Sequence, residues 1–532
     1  MASEPDTPAP VPPPCAVSPS YGETIVEALT RYPDREAFVL GEQRMTYAQA
    51  ADLVGRTQAV LVERGIGSGR GVGVLSPNAP EVFVAQAATF LTGARYSGLH
   101  PLGSIDDHVF LCEDAEIEVL VAHPSFAATA VAVAERASSV KHVLTIGPSE
   151  AGPDLLDLCA DAGAQRLRAP GVSEETTAWL QYTGGTTGRP KGAMLSHRAL
   201  VQEVQSLTAS WGLPEQPIYL ASSPITHAAM LPVVPVLARG GTVVLQQGFD
   251  PEKWLSALEA ERVNYAFVVP TMLYTMLDKA DPAARDTSSL ETLCYGAAPM
   301  TPARLCEARE AFGPVMMQVY GQTECVGMST SLRKDEHDPI ARPDLLTSCG
   351  RPVAGVRIEL LDDNGEPVAD GAVGEISVRS RVVMNGYWKR AEETADALRG
   401  GWLRTGDMGI RDDGGFLHIV DRKKDMIVTG GFNVYPKEIE DVLTGHESVW
   451  QAAVIGLPDD KWGESVAAFV VPRPGARIDT AALTALVKSR KGAHQAPKRV
   501  EIVPELPTTG VGKIDKKALR AAHWAGHERH VH

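Results

Sequence analysis

The sequence has no run of 18 apolar residues, so no segment reads as a membrane-spanning helix. It has no CxxC pair. Seven cysteines, at 15, 112, 159, 294, 306, 325 and 349, are scattered and odd in number. That argues against a disulfide or zinc framework and for reduced thiols in a cytoplasmic protein. It has no excess of positive charge either. A formal net charge of −16 disfavours a polyanionic partner, so nucleic acid is not expected, although a local basic patch can hold one nucleotide. The proline-rich start, MASEPDTPAPVPPPCAVSPS, lacks the basic and apolar regions of a secretion signal. Residues 1–20 are expected to be a disordered lead-in.

What is present is a long alternation of helix and strand. The 532 residues suffice for several cores. Thr46 and Gln49 have capping-box spacing, and apolar positions 50, 53, 54, 57, 60 and 61 form one helix face. Short apolar runs at 71–76, 117–122, 141–147, 241–247, 264–270 and 291–296, with helix-like segments between, read as parallel strands covered on both faces. From about 350 to 420 strand-like runs are joined by turn-rich links, which predicts a β-rich subdomain. After residue 425 helices at 436–444, 479–490 and 514–522, with strands at 450–456, 465–472 and 499–503, make a smaller α+β unit.

Residues 182–197, YTGGTTGRPKGAMLSH, have the composition of a phosphate cradle: glycines that let N–H groups converge, hydroxyls, and a lysine. This is not a G-x-x-x-x-G-K-[ST] loop. Arg189 and Pro190 separate Gly188 from Lys191, Gly192 follows the lysine, and Pro190 removes a backbone donor. A surface hairpin is the alternative reading.

The stretch resembles the phosphate-loop signature of the adenylate-forming (AMP-binding) enzymes, which include acyl-CoA synthetases, firefly-type luciferases and peptide-synthetase adenylation domains. Five further motifs follow in the expected order: YGAAP (295–299), YGQTE (320–324), GWLRTGDMG (401–409), DRKKDMIVTGGFNVYPKEIE (421–440) and PTTGVGKIDKKALR (507–520). The match covers nearly all of the chain after residue 20. The sequence departs from the pattern at Gly184, where many relatives carry serine, and at Gly510, where proline is frequent.

The resemblance implies an α/β fold. A large N-terminal domain of doubly wound mixed and parallel sheets spans 21–423 and includes the β-rich subdomain, and a small mobile lid spans 424–532. It implies an AMP-forming acid–thiol ligase using ATP, Mg2+ and coenzyme A. A carboxylate attacks the α-phosphorus of ATP, pyrophosphate leaves, and a thiol then takes the acyl group.

The same resemblance assigns the site. Thr183, Gly184, Gly185, Thr186, Thr187, Gly188 and Lys191 would bind phosphate. Gly296, Ala297, Ala298, Pro299, Tyr320, Gly321 and Gln322 would line the nucleotide, with Tyr295 against adenine and Asp407 and Arg422 on the ribose. Thr323 would meet the α-phosphate, Glu324 would ligate magnesium, and Lys513 would reach the carboxylate and α-phosphate from the lid. Lys424 would be the hinge, and Gly430, Gly431 and Phe432 would line the coenzyme A channel.

His227, Ala228, Met230, Tyr295, Gly296, Val326 and Met328 would form the acid pocket. Ala228 stands where amino-acid-activating relatives place aspartate, so an apolar aryl or medium-to-long aliphatic acid is expected. His227 reads equally as a gate to the acid carboxylate or as a structural histidine. Three readings stay open: a carboxylate–CoA ligase, an enzyme loading a separate carrier protein, and a non-catalytic nucleotide-binding protein. The sequence leaves a homodimer open as well.

Overall fold

The computed structural model describes residues 19–163, 165–183, 190–298, 300–429, 432–459, 462–508, 514–521 and 523–524. The first helix, Tyr21–Thr30, begins at the end of the expected lead-in. Ser20 caps it in a reciprocal box with Glu23. Residues 1–18 lie outside the described residues. The box read from Thr46 and Gln49 is formed: Thr46 Oγ1 accepts from the Gln49 N–H at 3.2 Å, and Gln49 Oε1 accepts from the Thr46 N–H at 2.8 Å. It opens the helix Tyr47–Glu63, which buries Ala50, Val54, Thr57, Val60 and Leu61. Leu53 packs half-buried beside them.

Two large sheets follow from the apolar runs. One orders its strands His142–Thr145, Ile117–Ala122, Gly71–Leu75, Arg95–Gly98, Thr177–Thr183 and Lys191–Ser196, parallel except for the last pair. Gly71–Leu75 sits inside it with all five residues buried, as an unbroken apolar run requires. The other sheet has nine strands. Its parallel centre runs Glu36–Leu40, Thr242–Leu245, Ile218–Ala221, Tyr265–Val268, Thr292–Gly296, Met316–Tyr320, with antiparallel strands at both edges. The N-terminal strand Glu36–Leu40 joins this second sheet, a long-range pairing that local pattern does not reveal.

Side chains alternate across each strand. Along Thr292–Gly296, Cys294 enters the core that also holds Val74, Tyr96 and Trp179 of the first sheet, while Leu293 and Tyr295 enter a separate core with Trp254 and Phe312. The strands Val356–Leu361, Gly374–Ser380, Leu403–Arg411 and Leu417–Arg422 form the expected β-rich meander. The C-terminal unit has a five-stranded sheet, helices Pro436–Thr444 and Thr480–Lys491, and its own core around Ile427, Ile439, Leu443, Val454 and Leu483. A separate core is what allows a unit to move as a body. Among the described residues no helix is long and apolar enough to cross a membrane.

Candidate active site

YGQTE leaves the carboxyl end of Met316–Tyr320, a strand paired in parallel with Thr292–Gly296. Ligands of open parallel sheets bind at such ends. The turn is tight. Gln322 O accepts from the N–H groups of Cys325 at 3.1 Å and Gly327 at 2.8 Å. A Cβ on Gly321 would stand 2.2 Å from the Gly327 carbonyl, so only glycine fits there. Val326 holds φ at 51°, a left-handed conformation that costs a β-branched residue energy and that such sites concentrate.

Inside this turn Glu324 is buried, with 8% of its surface exposed. Its Oε1 accepts from the Tyr387 hydroxyl at 2.7 Å, and its Oε2 has no partner among the described residues. The short helix Thr323–Cys325 packs on both strands that flank the glycine-rich loop. Those strands bring Thr183 and Lys191 opposite each other in antiparallel register. Gly184, Gly185, Thr186, Thr187 and Gly188 lie outside the described residues, as do Pro299, Gly430, Gly431 and Lys513.

Asp407 stands at the centre of a second cluster. It is buried, with Tyr320 Oη donating to its Oδ2 at 2.7 Å and Arg422 Nε 2.9 Å from its Oδ1. Asp407 and Arg422 are also cross-strand partners, so the pairing is built into the meander. The Asp407 carboxylate raises the Arg422 pKa against the opposing effect of burial. Gly296 pairs with Val319, and a Cβ there would lie 2.4 Å from the Val319 carbonyl, so no side chain fits. Ala297 next to it has φ 66°, and Ala298 follows. Lys424 lies one turn beyond Arg422. Burial first, and the Arg422 charge second, lower its pKa. Phe432 is largely exposed, its ring 5.3 Å from that of His494.

The third cluster surrounds His227. Burial lowers its pKa to about 3, with His100 a smaller cause, so the imidazole is neutral at working pH. Its Nδ1 is 2.9 Å from Thr226 Oγ1. The His100 ring meets it edge-on at 5.0 Å. Ala228 follows at the start of the turn that buries Met230. Met230, Val326 and Met328 share one core, and the Gly327 backbone approaches Leu231.

Tyr295 requires a correction, because it does not join them. It is 1% exposed, on the opposite face of its strand, with its hydroxyl 3.0 Å from His337 Nε2. Alternation turns it into the second core, so the structure does not group its ring with Met230, Val326 and Met328. Sequence reading missed His100 and Tyr387. Neither carries a local signal. Their partners lie far along the chain, 63 residues away for Tyr387.

The buried imidazoles make acid lability an expected property. Desolvation lowers His227 to about 3 and His197 and His337 to about 4, all below the unfolded value near 6.5. Each contributes stability that is fully present above about pH 6.5 and is lost as pH falls towards its folded pKa, at about 1.4 kcal/mol per pH unit. Asp421, raised to about 6 chiefly by burial, acts in the opposite sense, gaining stability as pH falls below 6. Burial also lowers the pKa of His100, His108 and His123, which act with these three, and raises that of Glu203, which acts with Asp421, so six imidazoles outweigh two carboxyls. The melting midpoint should fall steadily between pH 7 and 5 in a thermal scan, and a flat profile would contradict these assignments.

Residues 25–388 match the AMP-binding enzyme family, and residues 438–513 match the AMP-binding enzyme C-terminal domain. The chain belongs to this family. A medium/long-chain fatty-acid–CoA ligase, FadD8 of Mycobacterium tuberculosis, is 43% identical to it across 97% of this chain and 92% of its own. A feruloyl-CoA synthase of an Amycolatopsis species is 37% identical across 90% of this chain and 94% of its own. The solved structure of the amide bond synthetase McbA from Marinactinospora thermotolerans superposes with a TM-score of 0.87 at 36% identity, covering 94% of this chain and 99% of that one.

Proposed function

We propose that the protein is an ATP-dependent carboxylate–CoA ligase acting on an apolar aryl or medium-to-long aliphatic acid. The observation that carries this reading is the pair of buried carboxylates at one sheet end. Asp407 is clamped by Tyr320 and Arg422, and Glu324 keeps one oxygen without a partner among the described residues. Asp407 retains lone pairs for the vicinal hydroxyls of a ribose. Glu324 fits magnesium, which commonly takes one or two protein carboxylates and fills its remaining positions with phosphate and water oxygens. Among the described residues no group of three or more metal-ligating side chains competes for that role. Magnesium bound there supplies charge neutralisation at the phosphates.

The first half-reaction joins two anions, so the site needs cations and donors rather than a general base. A carboxylic acid is already ionised at neutral pH. Lys191, Thr183 and Thr323, with the hydroxyls and N–H groups of the glycine-rich loop, supply donors around the phosphates. A carboxylate oxygen then forms a bond to the α-phosphorus as the bond to pyrophosphate breaks. His227 enters uncharged and orients the acid by hydrogen bonding without competing for it as an ion pair. Met230, Val326 and Met328 offer the acid an apolar wall, and Ala228 offers no anchor for an ammonium group. The lid then turns at Lys424, Phe432 and its two neighbouring glycines admit the thiol, sulfur attacks the acyl carbon, and AMP departs.

The likeness to an amide bond synthetase favours one second reading, in which an amine rather than a thiol accepts the acyl group. A pyrophosphate-release screen over a panel of carboxylic acids, run with coenzyme A, with amines and with neither, separates them. The expected result is release with aryl or medium-to-long-chain acids and thioester formation only when coenzyme A is present. Amide products without thioester would establish the second reading, and no turnover with any acid would end both.

A further inference from the structure

Residues 384–388, MNGYW, run beside the strand Lys191–Ser196 and pair with it through an antiparallel bridge between Ala193 and Tyr387. The Trp388 N–H donates to Gly192 O at 2.8 Å, the Met194 N–H to Gly386 O at 2.9 Å, and the Asn385 N–H to Met194 O at 2.9 Å. The same segment is tied to the YGQTE turn, where the Met384 N–H donates to Glu324 O at 2.8 Å. Thr394 Oγ1 accepts from the Tyr387 N–H at 2.9 Å and fixes the far side. The backbone of Tyr387 is thus held between two parts of the candidate site.

Its side chain faces both. The hydroxyl donates to Glu324 Oε1 at 2.7 Å, and the ring centre lies 5.1 Å from Lys191 Nζ. Among the described residues no ion pair joins Lys191 to Glu324, although both meet the Tyr387 side chain. Were they to pair directly, the cation intended for phosphate and the anion intended for metal would cancel. An aromatic ring attracts the ammonium by its face without neutralising it. A hydroxyl holds one carboxylate oxygen and directs the other outward.

We propose that Tyr387 is a positioning residue that keeps the Glu324 carboxylate and the Lys191 ammonium apart and each aimed at its own part of a magnesium nucleotide. This rests on the reading of Glu324 as the magnesium ligand. Partners that orient a metal ligand are commonly worth about 10–100-fold in metal affinity.

The test is ATP binding by calorimetry on the full chain, with magnesium and with EDTA. Tyr387→Phe should lower affinity for magnesium ATP by about 10-fold or more. Affinity in EDTA should stay unchanged, because the ring facing Lys191 remains. Tyr387→Leu should lower both affinities. Glu324→Gln should abolish the gain that magnesium gives, and adding Tyr387→Phe to it should cost nothing more. Equal losses with and without magnesium in Tyr387→Phe would show a merely structural side chain, and an unchanged melting midpoint guards against misfolding. Wild-type magnesium ATP affinity in Tyr387→Phe, with the gain lost in Glu324→Gln, would overturn the positioning role and leave the metal assignment standing. A gain that survives Glu324→Gln would overturn the metal assignment and this inference together.

Discussion

Asp407→Ala is expected to weaken ATP binding by roughly 10²-fold or more, with the acid concentration dependence changed far less. A hydrogen bond to a charged group contributes about 1.5–3 kcal/mol, and a ribose offers Asp407 two hydroxyls. The variant also removes the partner of two neighbours. Tyr320 Oη and Arg422 Nε both turn towards this carboxylate, so the alanine leaves a hydroxyl and a guanidinium without their acceptor. Asp407 is buried but the Arg422 side chain is 47% exposed, so water takes up part of what the guanidinium loses. Asp407→Asn is therefore the informative companion. It keeps the size and one acceptor, so it should retain the fold while losing most of the nucleotide affinity. Titration of a fluorescent ATP analogue, beside a melting curve for each variant, separates the two effects. Unchanged nucleotide affinity in both variants would remove Asp407 from the ribose.

Where the signal was local, the sequence was readable to within a few residues. The capping box at Thr46 needs only a hydroxyl and a glutamine three positions apart, and it forms as read. The C-terminal unit was legible for the same reason, down to the helix read over 436–444 and found as Pro436–Thr444. The site motifs were legible as order and spacing, and in the fold Tyr320 meets Asp407, Asp407 meets Arg422, and Tyr387 meets both Glu324 and Lys191. What stayed hidden is non-local. The bond between Tyr320 and Asp407 spans 87 residues, and no periodicity encodes it. His100 was invisible because what marks it is the ring it meets, 127 residues along the chain, not its neighbours in sequence. Tyr295 failed for the opposite reason. Its motif suggested a ligand-facing ring, but a strand presents alternate residues to opposite faces, and Tyr295 falls with Leu293 in the second core.

Lys513→Ala is expected to abolish most acid-dependent pyrophosphate–ATP exchange, a loss of about 10²–10³-fold in rate, while attack of coenzyme A on supplied acyl-adenylate survives. Removing one preorganised donor from a developing charge typically costs that much. The lysine itself lies outside the described residues, but the chain around it is anchored. Thr508 and Ile514 pair antiparallel, and the Asp515 N–H donates to Pro507 O at 2.7 Å. The helix Lys516–Ala521 that follows is tied back through Lys516 to Glu440 at 2.7 Å and through Arg520 to Asp425. Asp425 is the neighbour of Lys424. The segment that carries the lysine is therefore coupled by an ion pair to the residue beside the proposed hinge, so a turn there moves both together. A lysine delivered in one orientation and withdrawn in the other serves only the first half-reaction. Measuring exchange and thioester formation separately tests this directly. Equal loss of both half-reactions would mean that the ammonium stays in place throughout, and the proposed turn of the lid would have no role.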